Sequence, residues 1–174
     1  DLTNPPAAEP YFLATSRLVF SENYSKKRLN EQGHTNSFFD SEGWGSYFLT
    51  NDSLTEISFP TPNSAATGPN AAIDLRYLTD LSSHSIAISV NGNLIQTDAA
   101  AGSSVRPFLH AIPANEVGTK VDLRWEADSK WGRVSIGDAV LTYPHTADFE
   151  GKTVFNFKID GNSGGKKLLE ISNF

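Results

Sequence analysis

"SIAISVNGNLIQTD", residues 85–98, decides the fold class. Ile86, Ile88 and Val90 share one phase of a two-residue period, so the run is a strand with one apolar face. Asn91-Gly92 follows, and both residues tolerate the positive φ that a tight hairpin turn demands. The same alternation recurs along the chain. "AIDLRYL", residues 72–78, sets Ile73, Leu75 and Tyr77 on one face and Asp74, Arg76 and Leu78 on the other. "VDLRWE", residues 121–126, does the same with Val121, Leu123 and Trp125 against Asp122, Arg124 and Glu126. "GRVSIGDAVLTY", residues 132–143, reads as a second hairpin turning at Gly137-Asp138, and "TVFNFKIDG" with "KKLLEISNF" as the closing pair of strands.

No segment sustains a capped 3.6-residue period. Short strands at intervals of roughly 8 to 12 residues, divided by glycine, asparagine and proline, predict an all-β fold: a two-sheet antiparallel β-sandwich of jelly-roll type. The expected core is Ile73, Leu75, Ile86, Ile88, Val90, Leu123, Trp125, Phe155 and Phe157. Residues 59–72, "FPTPNSAATGPNAA", hold three prolines and are expected to form a long surface loop. "RPFLHAIPANE", residues 106–116, is expected to hold a short helical turn.

At 174 residues the chain has the size of one domain, able to bury roughly 70% of its unfolded surface. Its 39% hydrophobic and 20% charged residues are those of a globular protein rather than a disordered one. A net charge of −6 argues against nucleic acid and anionic lipid as partners, since both require a broad positive field. No run of about 18 apolar residues is present, so no membrane span is expected. Without cysteine there is no disulfide, thiolate metal site or cysteine nucleophile. The opening "DLTNPPAAEP" reads as a linker or processed start over residues 1–10, with one sandwich domain over 11–174, as in a piece of a larger, exported protein.

Several residues have the chemistry of a binding site. Trp131 falls in a turn between Lys130 and Gly132, where strand alternation does not impose burial, and an exposed indole can stack on the apolar face of a sugar ring. Trp44 lies between two glycines in "DSEGWGSYF", residues 40–48, with Tyr47 in the same run. Arg76 and Arg124 recur in the similar words "DLRY" and "DLRW"; if their strands share a sheet, both point outward with Asp74, Asp122 and Glu126. Paired arginines can hold a carboxylate or sulfate, although cross-strand ion pairing on a solvated face explains the same pattern. Asp122 and Glu126 would stand about 13 Å apart on one strand, too far for a hydrolytic acid–base pair. His84, His110, His145 and Tyr143 supply residue types a lyase needs but form no local motif. In "KIDGNSGG", residues 158–165, Asp160 and Asn162 offer hard oxygen donors suited to calcium, or a side-chain-held turn.

The run "RLVFSENYSKK" near the start, "VNGNLI" in the middle, and "DFEGKTVFNFKIDG" leading to "LLEISNF" at the end resembles concanavalin-like, laminin-G-like and jelly-roll carbohydrate-binding modules of bacterial polysaccharide-degrading enzymes. The resemblance implies a non-catalytic module that recognises an extracellular polysaccharide or oligosaccharide, other domains in the same parent chain, and an extracellular or periplasmic place. It also implies a structural calcium ion between the first and last strands, to which Glu22 and Asn23 could contribute. A small sandwich-fold lyase or hydrolase, and an adhesin or structural interaction domain, are the alternatives.

Overall fold

The structure, a computed structural model, describes residues 6–25, 43–47, 49, 53–80, 84–100, 104–128, 133–159 and 167–173. Eleven strands follow in chain order among them: β1 (Phe12–Val19), β2 (Asn23–Ser25), β3 (Gly43–Gly45), β4 (Ser53–Pro60), β5 (Ala71–Asp80), β6 (His84–Val90), β7 (Asn93–Ala100), β8 (Ser104–Ile112), β9 (Lys120–Asp128), β10 (Arg133–His145) and β11 (Phe157–Lys158). One sheet has the order β11-β1-β10-β5-β8, the other β4-β9-β6-β7, and β2-β3 form a separate two-stranded ribbon. All strand pairs are antiparallel. The two larger sheets make the expected β-sandwich.

The strand phases follow from side-chain polarity. Ile73, Leu75 and Tyr77 of β5 meet Ile86, Ile88, Val90, Leu123 and Trp125 of the facing sheet in one hydrophobic cluster. Trp125 is 0% exposed, with the Tyr77 ring edge-on at 5.1 Å and the Phe108 ring at 6.5 Å. Its Nε1–H has no hydrogen-bond acceptor among the described residues. Asn91 (φ 48°) and Gly92 (φ 81°) make the β6–β7 turn, the left-handed pair that a two-residue hairpin needs.

Four expectations are corrected. Gly137-Asp138 is not a hairpin turn: β10 runs unbroken through it, and the register shift between Ile136 and Asp138 makes Gly137 the extra residue of a bulge. The bulge keeps both Ile136 and Ala139 in the core, which strict alternation cannot. Phe157 is 38% exposed and lies at the margin of the core, its ring 4.9 Å from that of Phe12 and 5.6 Å from that of Phe149; Phe155 is partly buried. The proposed loop 59–72 is shorter, because Phe59-Pro60 ends β4 and Ala71-Ala72 begins β5. Between them Thr61 and Ala65 are buried, held by Thr61 N to Thr119 O (2.9 Å) and Ala65 N to Pro144 O (2.8 Å). Finally, "TVFNFKIDG" and "KKLLEISNF" are not a closing pair of strands among the described residues: β11 is short and pairs with β1, and Leu168 and Ser172 make only isolated bridges, whereas the helical turn expected in 106–116 is present as a 3-10 turn at Ala114–Glu116.

At the ends of the described chain, Ala8 bridges Leu168 in parallel and Glu9 N donates to Leu168 O at 2.7 Å. Lys167 Nζ pairs with Glu9 Oε1 at 2.6 Å. No helix among the described residues is long and apolar enough to cross a membrane.

Candidate functional site

β1 pairs with β10 only from Asp138 onward, so the first half of β10 has an unfilled edge. The segment around β3 fills it. Ser46 N donates to Ile136 O at 2.8 Å, Ile136 N donates to Ser46 Oγ at 3.0 Å, and Ser135 Oγ donates to Ser46 O at 2.9 Å. Leu49 exchanges both backbone bonds with Val134, at 2.7 and 3.1 Å. Gly45 makes this approach possible: a Cβ there would collide with Ser135 Oγ and lie 2.9 Å from Ile136 O. Gly45→Ala should therefore push the ribbon off β10 and destabilise the fold by about 1–3 kcal/mol, as overpacking does. Urea unfolding measures the cost, and a neutral result would show that the ribbon does not press on β10.

The ribbon presents aromatic rings on this rigid base. Tyr24 and Trp44 pair in register across β2–β3, their rings T-shaped at 5.4 Å. Trp44 is 58%, Tyr24 48% and Tyr47 70% exposed. A Cβ on Gly137 would lie 3.6 Å from Arg76 O and 3.9 Å from Trp44 O, so the ribbon backbone reaches the bulge beside Arg76. Opposite Arg76 in register is Asp138, which pairs with Arg17 at 3.2 Å. The backbones of Trp44 and Arg76 thus meet at the bulge, with Tyr47 in the same run as Trp44, and Tyr24, Arg17 and Asp138, which sequence reasoning missed, join them through strand pairing and the Arg17–Asp138 ion pair. Tyr24 could have been noticed as an aromatic among polar residues in "FSENYSKK". Arg17 and Asp138 carry no local signal, since their pairing spans the β1–β10 register.

Arg124 and Glu126 are elsewhere. Arg76 belongs to the five-stranded sheet and Arg124 to the four-stranded one, so their outward faces lie on opposite sides of the sandwich. They cannot share one anion. Arg124 pairs with Glu126 on its own strand, Lys120 pairs with Asp122 at 2.6 Å, and Glu56 stands opposite Arg124 in register. This is an exposed sheet face laced with ion pairs. Lys120 and Ser58 beside Asp122 hold its carboxyl below the usual carboxylate range.

The lyase-type residues are dispersed. Tyr143 and His145 lie in the inward phase of β10 and are buried, while His110 is half-buried on β8 and stacks on Phe108 at 6.1 Å. Burial, with the Glu150 charge nearby, pushes the Tyr143 hydroxyl up to about 12. His145 stacks on Phe12 at 4.8 Å, and its Nε2 is 3.3 Å from Glu150 Oε1. Lys152 and His145 hold Glu150 below the usual carboxylate range against the opposing effect of burial. Beside them a groove of about 460 Å³ is lined by Thr15, Pro60, Tyr143, Lys152 and Phe155 among others, with Lys152 Nζ 5.1 Å from the Phe155 ring centre. His84 has no described side chain.

No three His, Cys, Asp or Glu side chains among the described residues converge to hold a metal ion. Glu22 Oε2 accepts from Ser21 N at 3.0 Å. The side chain of Asn23, and Trp131, Asp160 and Asn162, lie outside the described residues.

No protein-family model matches the chain, and no curated protein matches it in sequence. Solved structures do. Dimeric latent PorU from Porphyromonas gingivalis matches over 94% of this chain at a TM-score of 0.69 and 13% identity, and the match spans 15% of the PorU chain. The CBM36-1 domain of a multidomain xylanase from the hindgut metagenome of Trinervitermes trinervoides matches over 74% of this chain at 0.43 and 10% identity. A carbohydrate-binding module CBM36 in complex with calcium and xylotriose matches over 72% at 0.43 and 11% identity. At such identities the PorU match establishes the sandwich fold, and the fold alone.

Proposed function

We propose that the chain is a non-catalytic carbohydrate-binding module recognising an extracellular polysaccharide, with Trp44, Tyr24 and Tyr47 as stacking surfaces and Arg76 as a polar anchor. One observation carries the reading: three large aromatic side chains stay exposed on a ribbon whose backbone is hydrogen-bonded to β10. A rigid exposed ring offers a sugar dispersion and CH–π contact at little entropic cost. In this reading Trp131 is a further stacking surface, and Asp160 with Asn162 supplies oxygen donors for a structural calcium ion. Arg124 and Glu126 would serve only a ligand contacting the other sheet.

Calorimetric titration against a panel of neutral and acidic polysaccharides tests the assignment. Trp44→Ala should weaken binding at least tenfold with the fold intact, and Trp44→Phe should retain part of the affinity. A reducing-end or unsaturated-uronate assay should show no product. Equal affinity in Trp44→Ala, Tyr47→Ala and Arg76→Ala would remove the ribbon as the site, and product formation would favour a lyase or hydrolase.

A second reading is an interaction module packed within a longer chain. It is favoured by exposed Val154, Phe157, Ile159 and Ile171 on the closing segments, and by a fold match that occupies a small part of a much larger protein.

A further inference from the structure

The edge strands β7 and β8 carry polar residues in their inward phase. Gln96 and Asp98 stand opposite buried Ile88 and Ile86 in register, and so share their inward phase. Ser104 and Arg106 share the inward phase of buried Phe108 on β8. Ser104 is locked in place: its N donates to Thr79 Oγ1 at 3.1 Å, and the two hydroxyl oxygens are 3.0 Å apart. Ser104 Oγ in turn accepts from Arg106 Nε at 3.2 Å. That bond orients the guanidinium through Nε, and its two terminal nitrogens make no hydrogen bond among the described residues.

Arg106 is half-buried, yet it takes part in none of the ion pairs among the described residues. Asp98, on the edge strand β7 of the other sheet, instead accepts a hydrogen bond from the Tyr77 hydroxyl. Burial and that bond to Asp98 raise the Tyr77 hydroxyl far above its ordinary value, against the opposing effect of the Arg106 charge. Behind this row lies Trp125, whose buried Nε1–H is also without an acceptor among the described residues. A partly desolvated guanidinium that makes no ion pair among the described residues can take an incoming carboxylate through two charge-assisted hydrogen bonds.

We propose that Arg106, oriented by Ser104, anchors a binding site for a single carboxylate group of an acidic ligand, entered from the side between β7 and β8. The site is separate from the aromatic ribbon, which lies against β10, and does not depend on it. Sodium glucuronate and sodium acetate are the probes, titrated against sodium chloride at constant ionic strength. The readout is the Arg106 Nε–Hε resonance, assigned by its loss in Arg106→Gln. The expected result is a saturable shift with both carboxylates, with half-saturation in the millimolar range that one bidentate contact supports. Trp44→Ala should leave the shift unchanged. Arg106→Lys, which keeps the charge but loses the fork, should weaken binding several-fold as read from the neighbouring Ser104 amide, and Ser104→Ala should do the same. A linear, non-saturating response in the wild-type chain overturns the proposal whether or not any variant folds. Equal binding in Arg106→Gln, read at the Ser104 amide, overturns it as well.

Discussion

Trp125→Ala is expected to cost about 3–5 kcal/mol of stability, the range for truncating a large buried aromatic. The indole is fully buried on β9, at the centre of the four-stranded sheet, and touches rings carried by β5 and β8 of the other sheet. Its removal leaves a void that neither sheet can close, because both backbones are held by ladders on each side. Equilibrium urea unfolding gives the cost as a lower midpoint at unchanged slope. A loss below about 1 kcal/mol would mean that the two sheets do not share this contact. The unsatisfied Nε1–H adds a refinement: Trp125→Phe discards an orphaned donor along with some volume, and so should cost clearly less than the alanine variant.

Raising the pH above 10 should destabilise the fold steeply. In the unfolded chain a tyrosine hydroxyl ionises near pH 10. In the fold the Tyr143 hydroxyl is pushed up to about 12, and Tyr77 is raised further still by burial and its bond to Asp98. Between these values the folded chain holds protons that the unfolded chain has released, so stability falls as pH rises. The contribution is fully present below pH 10 and disappears as the pH climbs through the folded values. Each tyrosine adds at most about 1.4 kcal/mol per pH unit to the slope. Midpoints of urea unfolding between pH 9 and pH 11.5 measure it, with Tyr143→Phe expected to remove one tyrosine's share. A flat profile across that window would show that both hydroxyls reach water in the folded state.

Much of the architecture was legible because its causes are local. Alternation in "SIAISV", "AIDLRYL" and "VDLRWE" is a property of each strand alone, and it placed Ile86, Leu75 and Trp125 in the core without knowledge of their neighbours. Asn91-Gly92 likewise encodes its own left-handed turn. Gly137-Asp138 has nearly the same composition and became a bulge. The difference is that β5 pairs with β10 both before and after that point, while Ser46 before it and β1 from Asp138 onward hold the other edge, so the strand is held extended.

The candidate site was half legible. Trp44 and Tyr47 stood out because glycines flank an aromatic run, yet what fixes them is the edge of β10 left open where β1 stops, a fact of register. Arg76 and Arg124 look equivalent in "DLRY" and "DLRW", and the strand order sends them to opposite faces of the sandwich. Arg106 carries no signal in "RPFLHAIPANE", since nothing in that run shows that β8 is an edge strand or that Ser104 holds the guanidinium. Which residues turn inward, where the tight turn falls and that the fold is β can be read from the chain alone, because those depend on side-chain polarity and backbone φ over a few residues. Which charges meet and which aromatics stay exposed follow from the closed fold alone, because strand partners lie tens of residues apart and are chosen by how two whole sheets close over one core.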